Sequence, residues 1–260
     1  MNPTLWSTIH SEWIKFRTVR STVTGLATLI VLTLGIGVII CLAIKAHWGD
    51  PGSHFDHLLF DPTSVSLGGL FLAQFAAGAV GIITITSEYN TGSIRTTLSA
   101  VPHRARLVVA KTVVLFASLT VIGEVVVFAA FTIGQAIFRG TVPTASFNQA
   151  GVLRAVLMAG LYVALLTVLG LGIGLILRTT AFSIIVFTTL LLILPIIVNF
   201  LPSSLKDGIN KFLPANLGSA MYAPLPTAQN FSWGVATLVL LSYVAVVIVV
   251  GTVLMQRRDA

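Results

Sequence analysis

The chain has 260 residues, of which 56% are hydrophobic and only 9% charged, against roughly a quarter charged in soluble domains. With a mean hydropathy of +0.98, this composition excludes an ordinary water-soluble globule and points to repeated bilayer crossings. A net charge of +7 is compatible with either nucleic acid or an anionic membrane surface as partner, so its placement decides. Cys41 is the only cysteine and lies in an apolar run, which excludes an intrachain disulfide framework and a Cys-cluster metal site.

In chain order, residues 1–22 come first. Leu5, Ile9, Trp13 and Phe16 recur at helical spacing beside Trp6, while Thr8, Glu12 and Lys15 occupy another face. The pattern predicts an amphipathic helix lying in a membrane interface, where tryptophans and basic residues are favoured. It serves either as a short anchor or as part of a docking surface.

Six apolar runs follow, at about 23–44, 65–86, 112–137, 155–177, 181–201 and 234–255. Each is long enough for a helix to cross a hydrocarbon core of about 30 Å. They lack the alternation of barrel strands, and only helices or closed barrels satisfy every backbone amide in lipid. The expected fold is therefore all-α and polytopic. Lys15, Arg17 and Arg20 before the first run resemble the start of a signal peptide, but the run is too long and no convincing cleavage site follows. Ile40 before Cys41 argues against a lipoprotein signal, so a retained helix is expected.

The loop after the first run carries His47, His54 and His57 among Asp50, Asp56 and Asp61. These are zinc-ligand types, yet no compact ligand spacing is present and no metal site is expected. The segment 87–108 after the second run is more informative. Ile94, Leu98 and Val101 form an i, i+4, i+7 stripe, Ser93 can cap a helix start, and Pro102 marks an end. A two-turn amphipathic helix is predicted, too short to be stable alone and suited to a groove in a partner. A solvated or membrane-lying loop is the alternative.

Glu124 falls near the middle of the third run, where an ionised carboxylate is costly unless paired or hydrated. It reads as a pathway residue or as a protonated or hydrogen-bonded helix contact, and Gln74, Gln135 and Asn199 as interhelical hydrogen bonds or pathway groups. Gly170, Gly172 and Gly174 predict close helix packing, and Pro195 predicts a kink. The segment 202–233, interrupted by Pro214 and Gly218, suits short outer or re-entrant helices. Asn230-Phe231-Ser232 matches a glycosylation sequon by chance if the source is bacterial. No grouped nucleophile, base and orienting acid supports hydrolysis by this chain, and no phosphate-binding loop of the G-x-x-x-x-G-K-[ST] type occurs.

Six helices place both termini on one side. The segments on that side hold Lys15, Arg17, Arg20, Arg95, Arg104, Arg106, Lys111, Arg178, Arg257 and Arg258, and those on the other only Lys45, Arg139, Arg154, Lys206 and Lys211. The positive-inside rule then predicts cytoplasmic termini, and the charge becomes a topological signal instead of a nucleic-acid footprint.

The run from Thr86 to Leu98 (TSEYNTGSIRTTL), followed by Pro102, Arg104 and Lys111, resembles the coupling-helix region of permease subunits in the type-2 exporter superfamily of ATP-binding-cassette (ABC) transporters. The run from Ser11 to Ser21 (SEWIKFRTVRS) resembles the interfacial elbow helix of those proteins, especially the actinobacterial type. Phe212 to Met221 (FLPANLGSAM) is similar to the outer segment before their last helix. The resemblance implies an ABC permease of the bacterial cell membrane that forms a dimeric pathway and is powered by a separate ATPase. That ATPase would bind ATP and Mg, leaving this chain without a cofactor. It assigns Glu88, Tyr89, Gly92, Ile94, Arg95 and Leu98 to the ATPase contact, and Glu12, Trp13, Lys15, Phe16 and Arg17 to the elbow helix. Cargo would be a hydrophobic small molecule, lipid or peptide. Two other readings stay open: a self-sufficient secondary transporter or channel using Glu124, and a non-transporting immunity or scaffold protein.

Overall fold

The computed structural model describes residues 4–50, 60–100, 103–225 and 230–257, leaving aside the side chains of Leu98, Ala100, Ser203 and Ser204. Among these residues the chain is all-α. Helix α1 (Leu5–Thr18) is followed by α2 (Arg20–Ala46), α3 (Pro62–Ser66), α4 (Leu70–Asn90), α5 (Ser93–Ala100) and α6 (Arg104–Phe138). Then come α7 (Val152–Leu177), α8 (Thr180–Asn199), α9 (Ser203–Asn210), α10 (Pro214–Tyr222) and α11 (Trp233–Arg257). Among the described residues six helices, α2, α4, α6, α7, α8 and α11, are long and apolar enough to cross a membrane.

The second crossing begins later than the hydropathy suggests, at Leu70 instead of position 65. Asp61 and Pro62 start a separate short helix there: the Asp61 carboxylate accepts from the Thr63 amide at 3.0 Å and the Ser64 amide at 3.1 Å, an N-cap that sets Pro62 at the first helical position. Gly69 then lies against the Thr33 carbonyl of α2, where a Cβ would overlap it. The third crossing departs in the other direction. No breaker separates Arg104 from the apolar run, so α6 extends for 35 residues, about 52 Å of helix against a hydrocarbon core of about 30 Å. The segment between the second and third crossings shrinks to residues 91–103.

Helix α7 is the axis of the bundle, buried along most of its length between α4, α6 and α11. Small residues make that possible. The backbone of Gly78 on α4 lies where a Cβ on Gly170 would stand, and Gly81 lies against the Thr167 carbonyl, the close approach expected of small-residue helix contacts in membranes. The outer faces of α2, α8 and α11 leave Val31, Ile39, Phe182, Ile185, Leu238 and Val246 exposed, a surface suited to lipid.

The expected irregularity at Pro195 takes the form of a π turn over Thr189–Ile193. Proline lacks the amide for the carbonyl four residues back and its ring crowds that carbonyl, and widening the preceding turn relieves both. At the bundle end remote from the termini, α9 and α10 fold over the helices as two short elements. The Arg154 guanidinium holds the end of α10: it donates to the carbonyls of Ala223 at 2.9 Å, Pro224 at 2.8 Å and Met221 at 3.3 Å, satisfying carbonyls there, and lies 5.4 Å from the Trp233 ring centroid. Gly218 of α10 sits directly on the Tyr162 ring.

Candidate functional site

Four charged side chains from three helices meet at the termini end of the bundle. Glu12 and Lys15 come from one face of α1, Glu88 from the last turn of α4, and Lys111 from two turns into α6. The Lys111 ammonium donates to Glu12 Oε2 at 2.7 Å and to Glu88 Oε1 at 2.7 Å; the Lys15 ammonium donates to Glu12 Oε1 at 2.7 Å and to Glu88 Oε1 at 3.0 Å. The cluster is electrically neutral, with Glu12 3% and Lys111 2% exposed and Lys15 at its partly exposed edge. Burying such charges costs several kcal/mol per ion, offset only when hydrogen bonds and opposite charges are well placed. Around Lys15, burial alone would lower the ammonium pKa, but the hydrogen bond and charge of Glu12, joined by those of Glu88, raise it above 10.5.

This geometry shows which face of α1 meets the bundle, a point the sequence left open. The residues it buries are Thr8, Glu12 and Phe16, whereas Leu5, Trp6 and Trp13 are exposed. The polar face packs inward because Lys111 supplies a counter-charge from 99 positions away, a compensation that periodicity within α1 does not encode. The exposed tryptophans face the surroundings, as suits an interface. Trp13 stacks on Phe16 at 5.9 Å between ring centroids, and Arg17 is exposed.

The predicted coupling residues divide. Glu88 is turned into the ion cluster, and Ile94, 2% exposed, packs into the chain's own core. Tyr89 is half-buried beneath the Arg178 guanidinium, 5.1 Å from its ring centroid. Gly92, at φ +71°, makes the left-handed turn into α5 that a side chain would resist. Among the described side chains of α5, Arg95, Thr96 and Ser99 are exposed. The side chain of Leu98 lies outside the description, as do Val101 and Pro102. Of the predicted stripe, Ile94 is therefore already engaged within the chain.

A cavity of about 610 Å3 lies beside the cluster, bounded by α1, the start of α2, the ends of α4 and α6, and α5. Glu88 lines it, and Glu88 Oε2 is buried without a hydrogen-bond partner among the described residues.

The other polar residues lie elsewhere. Gln74 joins α4 to α7, its Oε1 accepting from the Tyr162 hydroxyl at 2.7 Å. Gln135 holds the distal loops, donating to the Pro62 carbonyl at 3.0 Å and the Ser66 hydroxyl at 2.9 Å, and accepting from the Ala145 amide at 2.7 Å. Asn199 is exposed at the end of α8. Glu124 is half-buried where α6 crosses α7, its carboxyl occupying the place of a Cβ on Gly160, and its Oε2 is buried without a hydrogen-bond partner among the described residues. Among the described residues no group of three metal-ligating side chains assembles; His54, Asp56 and His57 lie outside them.

Sequence reasoning counted Lys111 and Arg154 as topological charges, and quoted Lys111 beside the coupling-helix resemblance, but gave neither a partner. The available signal was cost: a cation at the edge of an apolar run requires a carboxylate or several carbonyls nearby. No family model and no curated protein matches the chain.

Proposed function

We propose that this chain is the membrane-spanning permease subunit of an ATP-driven exporter, acting as a pair of permeases with two copies of a separate cytoplasmic ATPase. The observation that carries this reading is the placement of α5. A two-turn helix with an exposed polar face, Arg95, Thr96 and Ser99, stands between two long crossing helices, and the ion cluster at its base locks α1, α4 and α6 together. A push on α5 therefore reaches three elements at once, and the likeness of residues 86–98 to a coupling-helix region supports the same assignment.

In this reading the ATPase binds ATP and Mg and supplies the stroke, and the chain itself hydrolyses nothing. The excess of basic residues in the segments read as lying on the termini side supports a cytoplasmic position for that side, in a bacterial cell membrane. The pathway forms between two copies, and closure of the ATPase pair tilts the bundles between inward and outward access. The cargo class is a hydrophobic small molecule, lipid or peptide.

Co-purification from the native host tests the proposal. A stoichiometric ABC-type ATPase is expected with the chain and is lost in Arg95→Glu, whose side chain is exposed, without a change in the permease's thermal midpoint. Gradient-driven flux by the chain alone in proteoliposomes, abolished in Glu124→Gln, would overturn it in favour of a secondary transporter.

A further inference from the structure

A groove of about 360 Å3 runs along α6 from the point where α1 crosses it. Its head lies against Ile9 and Trp13 of α1, and its floor is the face of α6 that carries Val113, Ala117 and Val121 and ends at Ile122. Ser118 also lines it, but its hydroxyl donates to the Val114 carbonyl at 2.6 Å, which leaves the lining almost wholly apolar. Trp13 is 42% exposed, Val113 44% and Val121 66%, so the groove opens sideways to the surroundings of the bundle.

Its dimensions select the occupant. From Val113 to Ile122 the helix rises about 14 Å, close to the roughly 15 Å of hydrocarbon in one leaflet. Spread over that length, the groove volume gives a section of about 25 Å2. A helix 10–12 Å across occupies about 80–110 Å2, so the groove is too narrow for a helix of a partner or of a second copy and suits one extended hydrocarbon chain. The depth agrees. Lys111, which pairs with Glu12 where α1 and α6 meet, precedes the groove by less than a turn, so the groove begins beside the interfacial helix and runs toward the middle of the bilayer.

The rim is basic. At 100° per residue, α1 turns from its buried Thr8, Glu12 and Phe16 through Ile9 and Trp13 to Arg17, one turn beyond Trp13 on the same flank. Arg17 is exposed and makes no ion pair among the described residues. We infer that the groove holds one acyl chain of an anionic phospholipid of the termini-side leaflet, with the lipid phosphate drawn to Arg17. Trp13 stands at the mouth, at the headgroup level that tryptophan favours. The acyl chain then lies as a wedge between α1 and α6 and covers the apolar flank that the ion cluster leaves open. Such a site needs only the membrane-spanning architecture and exists whether or not the chain is a transporter.

The full chain in detergent, stripped of lipid, is titrated with dioleoyl phosphatidylglycerol and dioleoyl phosphatidylcholine, and occupancy is read by native mass spectrometry. The first lipid is expected to bind about fivefold more tightly as phosphatidylglycerol, the factor that one basic residue contributes toward an anionic lipid surface. Arg17→Gln removes that preference and keeps the phosphatidylcholine affinity. Ala117→Phe, which fills the groove from an exposed position, weakens both lipids about tenfold or more, whereas Val125→Phe, exposed on the same helix outside the groove, changes neither. Unfolding midpoints of the lipid-stripped variants check that each is folded; if Ala117→Phe fails to fold, Val121→Phe, also exposed in the groove, takes its place. Equal affinity of the unmodified chain for the two lipids, or unchanged binding in the groove-filling variant, overturns the site. So does an Ala117→Cys cross-link to another protein chain in native membranes, which would assign the groove to a protein.

Discussion

Lys111 and Glu12 form an ion pair of 2.7 Å across 99 positions of sequence, and neither side chain is more than a few per cent exposed. The pair fixes how α1 lies on the bundle. Removing the ammonium leaves two buried carboxylates with only the partly exposed Lys15 between them, a loss of about 3 kcal/mol. Lys111→Met is expected to lower the detergent unfolding midpoint sharply, and Glu12→Gln added to it to restore part of the loss. Additive losses in that double-mutant cycle would mean that the two side chains do not act together.

The pH dependence of the cluster has a defined sign. Lys15 has a folded pKa raised above 10.5 because Glu12 and Glu88 outweigh burial. Its contribution is therefore fully present below about 10.5 and is lost as pH rises through the higher folded value. The unfolding midpoint should fall on the alkaline side of 10.5, and Lys15→Met should flatten that part of the profile. An identical alkaline slope in the variant would assign the effect to other groups.

Arg154 binds three carbonyls at the end of α10. Arg154→Gln is expected to cost about 2 kcal/mol, the scale of hydrogen bonds to a charged group. Amide hydrogen exchange should rise in α10 and not in α7 or α6. Uniform exchange across all three helices would instead indicate global destabilisation.

At the α6–α7 crossing, Glu124 occupies the space beside Gly160. Gly160→Ala should destabilise the chain, and a second change, Glu124→Ala, should recover much of the loss by vacating that space. Under the exporter reading, Glu124→Gln leaves ATPase stimulation and export unchanged, since an amide fills the same volume. A stable Glu124→Gln variant that has lost export would assign the carboxyl a role beyond packing.

The crossings were legible because hydropathy over about 20 residues has no competing explanation. Their ends were less so. Asp61-Pro62 and Gly68-Gly69 restart the helix in mid-run, and local capping overrode the apolar count there; at Arg104 the absence of a breaker let the helix run past the apolar region. The site was legible as a place and not as an arrangement. Glu12 and Lys15 drew attention on the helix before the first crossing and Glu88 in the segment after the second, but pairing them required Lys111, and no spacing rule joins positions on three separate helices. Ile94 showed the same limit. Its stripe predicted an amphipathic helix, and the helix is present, but which partner covers the apolar side depends on tertiary packing.

The length of α6 also sets a mechanical ratio. Gly123 rests against the Gly160 carbonyl, with 3.2 Å to the position a Cβ would take, so this tight crossing serves as a fulcrum. From Arg104 to Gly123 is 19 residues and from Gly123 to Phe138 is 15, arms of about 28 and 22 Å at 1.5 Å per residue. As a stiff rod pivoting there, α6 would turn a sideways displacement at Arg104 into an opposite one at Phe138, reduced to about four-fifths, so that motion imposed at one membrane face is delivered to the other almost undiminished.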